Sequence, residues 1–240
     1  VDAGEIIGPS AAHRRHRRRR RRYGRRPAGA VCIAVLLALA AAGCGGSAAK
    51  GSGSSIVHLD DASPAAGLRG TALAASLPKP DIRLTNTAGR SYDLRAATGG
   101  KLTLVYFGYT HCPDVCPTTM ADIAAGLSQL SPAVRRHVTV VFVTTDPDRD
   151  TPAVLHAWLT QFDPTFVGLT GSWNQIAGYA QQLAIPLERP RRQADGSWEV
   201  DHGSQVTAFG PDGAARTVYL AGITPTDYAH DIPLLVKGSR

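Results

Sequence analysis

Apolar residues along this chain fall into a few distinct rhythms, and their order predicts strands alternating with helices. Regular structure is expected to begin near Leu77. Ile82, Leu84, Tyr92 and Leu94 alternate with polar neighbours on either side of Asn86 to Gly89, the pattern of a hairpin. Leu102 to Gly108 is a short apolar run bounded by turn residues, as expected of a strand buried on both faces. From Pro117 onward Met120, Ile123, Ala124, Leu127 and Leu130 recur at three and four residues, the spacing of a buried helix face. Val138 to Val143 repeats the buried-strand signal, and a polar loop, Thr144 to Asp150, follows it. Thr151 then caps a helix opened by Pro152 and reaching about Phe162. Phe166 to Leu169 reads as a strand, and Ser172 with Gln175 has capping-box spacing for a helix ending at Leu183. A long polar loop, Glu188 to Val200, comes next. Val206 to Phe209 and Arg216 to Leu220 flank Gly210-Pro211-Asp212-Gly213, a hairpin turn composition, and Thr224 with Pro225 opens a last helix. The order predicts an α/β fold in which a mixed sheet is flanked by helices, with an N-terminal hairpin; a thioredoxin-like arrangement fits it.

The front of the chain has another character. The formal net charge of +7 suggests a nucleic-acid binder until its placement is considered. Residues 1–43 carry ten arginines, all between Arg14 and Arg26, against Asp2 and Glu5. Removing these from the 26 basic and 19 acidic residues leaves 16 against 17, a formal charge of −1, so no basic footprint for nucleic acid remains. The arginines precede an uncharged run, Ala28 to Ala42, and then Gly43-Cys44-Gly45, the order of an export signal. That run is shorter than the roughly 20 residues of a membrane-spanning helix, which favours cleavage over a permanent span. The small residues before Cys44 resemble a bacterial lipoprotein signal, in which the cysteine is acylated and begins the mature chain. Residues 1–43 are therefore expected to be the signal, 44–69 a Gly/Ser/Ala-rich tether, and 70–240 the folded domain. Retained arginines and a translocated remainder place the domain outside the cytoplasm, fixed to the cell membrane by its lipid.

Removal of the signal takes Cys32, and lipidation takes Cys44, which leaves two thiols, Cys112 and Cys116. They lie where the buried strand gives way to a helix, the carboxyl edge at which α/β sheets present side chains. On a helix, residues four apart share a face with β-carbons roughly 5–6 Å apart, close enough for two thiolates to grip one ion or, after adjustment, to form a disulfide. A helix amino end also lowers a thiol pKa. Three intervening residues differ from the two of thioredoxin redox motifs, no histidine follows for haem attachment, and two thiols cannot build a four-cysteine zinc site. Two thiolates with an imidazole suit copper, the sulfurs favouring Cu(I) and the nitrogen Cu(II). His202 stands in a loop before a strand and can reach the pair, although a lone histidine in such a loop is as readily a solvated side chain. His111 adjoins Cys112 and is expected to point away, His137, His156 and His230 lie on or beside helices, and His58 lies in the tether.

Three segments together carry a family resemblance: Tyr106 through Pro117, Asp146-Pro147-Asp148-Arg149-Asp150-Thr151-Pro152, and Asp201-His202 through Gly213. In this order they resemble the SCO/SenC family across residues 70–237. The resemblance implies a thioredoxin-like fold, copper bound by Cys112, Cys116 and His202, and a role in assembling the dinuclear copper centre of cytochrome c oxidase subunit II. It implies a thiol reductase as a further partner, because the pair must be reduced to bind metal, and a monomer is expected. Asp146 and Asp150 resemble the acidic loop of the family and are candidates to orient the site, against the plainer reading of a turn and helix start. Asp114 faces either a partner or solvent. The same thiols also suit a redox-active pair in a thiol–disulfide oxidoreductase acting on that subunit, or a static staple, which a span of four residues motivates poorly.

Overall fold

The computed structural model describes residues 67–238 apart from Asp195, Ser197 and Asp201. The expected signal, Cys44 and the tether up to residue 66 lie outside the described residues.

Among the described residues ten strands and six helices follow in chain order: β1 (Thr71–Pro78), β2 (Arg83–Asn86), β3 (Ser91–Asp93), α1 (Leu94–Ala97), β4 (Leu102–Gly108), α2 (Val115–Ser128), α3 (Pro132–Arg135), β5 (Val138–Thr144), α4 (Pro152–Leu159), β6 (Val167–Thr170), α5 (Trp173–Gln182), β7 (Arg191–Arg192), β8 (Trp198–Glu199), β9 (Val206–Phe209), β10 (Ala214–Tyr219) and α6 (Pro225–Val236). Eight strands form one sheet in the order β1-β10-β9-β4-β5-β6-β2-β3, and β7 and β8 make a separate ribbon. Strands β4, β5 and β6 run parallel, while every other neighbour is antiparallel. The mixed sheet and the β2–β3 hairpin are those expected from the sequence.

The central strands explain their own composition. All seven residues of β4 are buried, because apolar layers cover both faces of the sheet. On one side Leu102, Leu104, Tyr106 and Phe142 pack against Met120, Ile123 and Leu127 of α2 and Ile232 of α6. On the other, Val105, Phe107, Val141 and Val143 pack against Ile176 and Ala180 of α5. Helix ends follow the capping chemistry of the sequence: Thr151 accepts from the Val154 amide, and Ser172–Gln175 forms a complete capping box.

Five short or edge elements were not expected, among them the single-turn helix α1, which begins at Leu94, a residue read as part of the hairpin. Strand β1 lies at the edge of the sheet, and Thr71 faces Val218 there. Its mostly half-exposed Ala/Ser/Leu sequence alternates too weakly to announce a strand. The chain before it is already fixed, since Leu68 is buried and the Arg69 and Gly70 amides donate to the carboxylate of Asp231 on α6 at 2.9–3.0 Å. A short helix, α3, follows Ser131. Within the long polar loop, β7 and β8 pair Arg191 with Glu199 and Arg192 with Trp198.

Among the described residues no helix is long and apolar enough to cross a membrane.

Candidate metal centre

Strand direction brings three segments to one end of the sheet. β4 ends there at Gly108, β5 ends there at Thr144, and β9 begins there, with Val206 opposite Tyr106. Gly108 lets a sulfur sit against the strand: a β-carbon at this position would stand 2.8 Å from Cys116 Sγ and 3.0 Å from Tyr106 Cε1.

Cys112 occupies the loop before α2, and Cys116 lies in the first helical turn. The Asp114 side chain makes no capping bond, although Asp114 holds the N-cap position. The Cys112 sulfur takes over part of that task by accepting from the Cys116 amide at 3.4 Å. It is correspondingly acidic. Hydrogen bonding from the Cys116 thiol, opposed by burial and aided by the Asp114 and Cys116 amides and by His202, brings its pKa down to about 5. Cys116 moves the other way. Its hydrogen bond to Cys112 and its complete burial push its thiol far above the ordinary range. The hydrogen bond between the two sulfurs, aided by the amides of the helix end, thus acidifies Cys112, while Cys116 retains the proton that the two share. Both cysteines are free thiols. The Tyr106 hydroxyl donates to Cys116 Sγ at 3.4 Å, and burial together with the nearby sulfurs pushes Tyr109 up to about 12.

His202 reaches this pair from the opposite side of the cleft. An isolated bridge joins it to Leu187, and the Gly203 amide donates to the Pro186 carbonyl at 2.8 Å. Glycine at 203 suits this close approach, since a β-carbon there would stand 3.0 Å from Ile185 Cγ2 and Pro186 Cδ. Nδ1 lies 3.1 Å from the Gly203 carbonyl, to which it donates in the tautomer that leaves Nε2 with a free lone pair. Nε2 points at Cys116 Sγ, 3.5 Å away. The rings of Tyr109 and Tyr106 meet the imidazole edge-on at 5.5 and 6.2 Å between centroids. The two sulfurs and an imidazole nitrogen all lie within 4.8 Å of one another, the one such convergence of three metal-binding side chains among the described residues. Its donors suit a soft, thiophilic ion of low coordination number.

The remaining candidates separate clearly. Asp150, fully buried, accepts from the Thr110 amide at 3.0 Å, the Thr110 hydroxyl at 2.6 Å and the Thr144 hydroxyl at 2.7 Å, so it ties the cysteine loop to the end of β5. Asp146 pairs with Arg149, and burial raises its pKa against that partner. Asp114 is exposed at the rim. His111 is half exposed and meets Thr110 and Asp150 instead of the sulfurs. Sequence reasoning passed over Tyr106 and Tyr109, whose rings frame the imidazole, and the contact of the Arg149 guanidinium with the Trp198 ring, 4.8 Å from its centroid. The Tyr106-to-Pro117 motif contained the first two; no local signal marks the third.

The family model described as SCO1/SenC matches residues 72–237. The chain belongs to that family. It is 33% identical over 147 residues to the mitochondrial SCO2 homologue of Bos taurus, an alignment covering 60% of this chain and 54% of the relative, so the chain spans about half that protein's length. The copper-bound structure of Bradyrhizobium japonicum ScoI is similar with a TM-score of 0.59 and 31% identity, covering 66% of this chain and 99% of ScoI. BsSco, described as a member of the Sco family of cytochrome c oxidase assembly proteins and as carrying a disulfide switch, shares the fold with a TM-score of 0.53 at 24% identity, covering 68% and 92%. The fold of this SCO1/SenC domain is thioredoxin-like, as its element order implied.

Proposed function

We propose that this protein is an extracytoplasmic copper carrier that holds one ion on Cys112, Cys116 and His202 and passes it to the dinuclear copper centre of cytochrome c oxidase subunit II. The observation that carries the reading is the convergence of two sulfurs and a free imidazole nitrogen within 4.8 Å at one end of the sheet. The copper in the related ScoI structure supports the choice of ion. Cu(I) rests mainly on the sulfurs, while Cu(II) needs the imidazole as well. Transfer proceeds by exchange of ligands, with the ion keeping its oxidation state as acceptor groups replace these three. Lipidation at Cys44 keeps donor and acceptor on one membrane, and a thiol reductase keeps the pair competent to bind.

Copper titration of the reduced protein tests this. One equivalent of Cu(II) should produce a sulfur-to-copper charge-transfer band that His202→Ala abolishes, with Cu(I) binding retained. No band at one equivalent would remove the carrier reading.

A second reading rests on the unequal thiols. Cys112, acidic to about 5, is a thiolate at neutral pH, and Cys116 keeps its proton. Such a pair can reduce a disulfide of the oxidase subunit: Cys112 attacks one sulfur and releases the first thiol. Cys116, losing its proton, then closes the Cys112–Cys116 disulfide and frees the second, two electrons passing in all. His202→Ala should leave this exchange intact.

A further inference from the structure

We infer that Arg149 and Trp198 form a latch that seats the His202 arm over the two sulfurs, which makes them positioning residues for the third ligand; the inference rests on the copper reading.

The arm runs from Pro186 to Gly203. Its base is secured by the Leu187–His202 bridge and the Gly203-to-Pro186 hydrogen bond. Beyond the base, its regular structure among the described residues is a ribbon of two residue pairs, too short to hold itself in water. An outside contact is therefore required, and Trp198 makes one. The ring is still 42% exposed, so it is not a core residue, yet the Arg149 guanidinium carbon lies 4.8 Å from its centroid, within cation–π range.

Arg149 is itself held in place. Its Nε donates to Asp146, whose side chain is 1% exposed, and the Asp146 amide donates to Thr144 Oγ1 at 2.9 Å. The Arg149 and Asp150 amides both donate to the Asp146 carbonyl, so residues 146–150 form one closed turn. From this turn Asp150 reaches the cysteine loop through Thr110, while Arg149 reaches the histidine arm through Trp198. A single turn at the end of β5 thus gauges the gap between thiol and imidazole ligands. Once the arm is seated, the Tyr109 and Tyr106 edges and the Gly203 carbonyl orient the imidazole, a task separate from holding the ribbon of residues 191–199.

The test compares Trp198→Ala, Trp198→Phe and Trp198→Leu with wild type in the whole reduced protein, reading Cu(II) affinity, the nitrogen signature in its electron paramagnetic resonance spectrum, Cu(I) affinity and the alkylation rate of Cys112 without metal. A cation–π contact at a partly exposed site sets the expected loss of Cu(II) affinity in Trp198→Ala at about tenfold, with weakened nitrogen coupling. Cu(I) affinity stays within about twofold, because the sulfurs dominate it. Trp198→Phe, which retains an aromatic face, recovers most of the loss; Trp198→Leu, which retains apolar bulk alone, does not. Unchanged Cu(II) affinity in Trp198→Ala, or full recovery by leucine, overturns the latch. If wild type takes up no copper, the copper reading fails separately. The latch is then judged on the metal-free protein, where Trp198→Ala must speed Cys112 alkylation by about threefold or more, and an unchanged rate overturns it.

Discussion

Replacing Asp150 with alanine should separate a structural clamp from an incidental turn residue. The carboxylate is fully buried and accepts three hydrogen bonds, at 2.6, 2.7 and 3.0 Å. Bonds to a charged acceptor are worth about 1.5–3 kcal/mol each, and an orphaned buried donor costs about 1–3 kcal/mol. The full sum overstates the loss. The Thr110 hydroxyl can turn to His111 Nδ1, 3.0 Å away, and deleting the carboxylate also removes the cost of its own burial. The Thr110 amide and the Thr144 hydroxyl, which already accepts from the Asp146 amide, keep no comparable substitute. The net loss for Asp150→Ala is therefore about 3 kcal/mol, a large share of the 5–15 kcal/mol typical of a domain. Asp150→Asn preserves the shape and one acceptor oxygen and should lose about 1–2 kcal/mol. Urea denaturation followed by tryptophan fluorescence measures both, with the m-value checking that the unfolding transition is unchanged. A loss below about 1 kcal/mol for the alanine variant would refute the clamp. Equal losses for the two variants would show that charge matters and the bond geometry does not.

Other outcomes follow from the same site and its surroundings. In the folded protein, iodoacetamide labelling of Cys112, located by peptide mapping, should reach half its plateau rate near pH 5, with Cys116 unlabelled at neutral pH; a midpoint near the ordinary thiol value of 9 would contradict the shared-proton pair. Gly108→Ala places a β-carbon 2.8 Å from Cys116 Sγ and 3.1 Å from Phe142 Cε2, so it should destabilise the protein by about 1–3 kcal/mol and displace that sulfur; unaltered stability and labelling would show that the strand yields freely. Lys79, 5% exposed and bonded to Thr98 and Thr103, has its pKa brought down to about 8 by burial. Between pH 8 and the ordinary 10.5 the unfolded chain keeps a proton that the folded chain has released, so unfolding free energy should rise with pH across that window by about 2–3 kcal/mol. Lys79→Met should flatten the rise, and a slope that persists in this variant would assign it to another group.

Much of the fold was legible because burial leaves a strong imprint on sequence. β4 and most of β5 are covered on both faces, and Leu102 to Gly108 and Val138 to Val143 accordingly read as short, largely apolar runs. The caps at Thr151, Ser172 and Thr224 were readable because each is a local interaction across three residues. β1 was not readable, since an edge strand paired on one side demands little of its side chains. The cysteine pair was visible as spacing, but the opposite displacement of its two pKa values depends on which sulfur receives the amides and which is sealed beneath Tyr106. His202 emerged from motif order, whereas Trp198 did not, because its partner lies 49 positions earlier in the chain and only folding brings the two together.

The alternating directions of the last strands have a consequence for how the molecule is presented. β9 starts beside the end of β4, β10 returns to that end at Tyr219, and β1 sets out from it at Thr71. The polypeptide thus enters the domain on the flank where the sulfurs emerge, while Val236 and Lys237 finish beside Gly210 and Pro211 at the far end. An attachment made directly at Gly67 lies on the ligand side of the domain, and one made at Lys237 lies on the opposite side. Immobilising the domain through a rigid link at Gly67 or at Lys237 therefore selects which acceptors, those on the support or those in free solution, the ligands are aimed at.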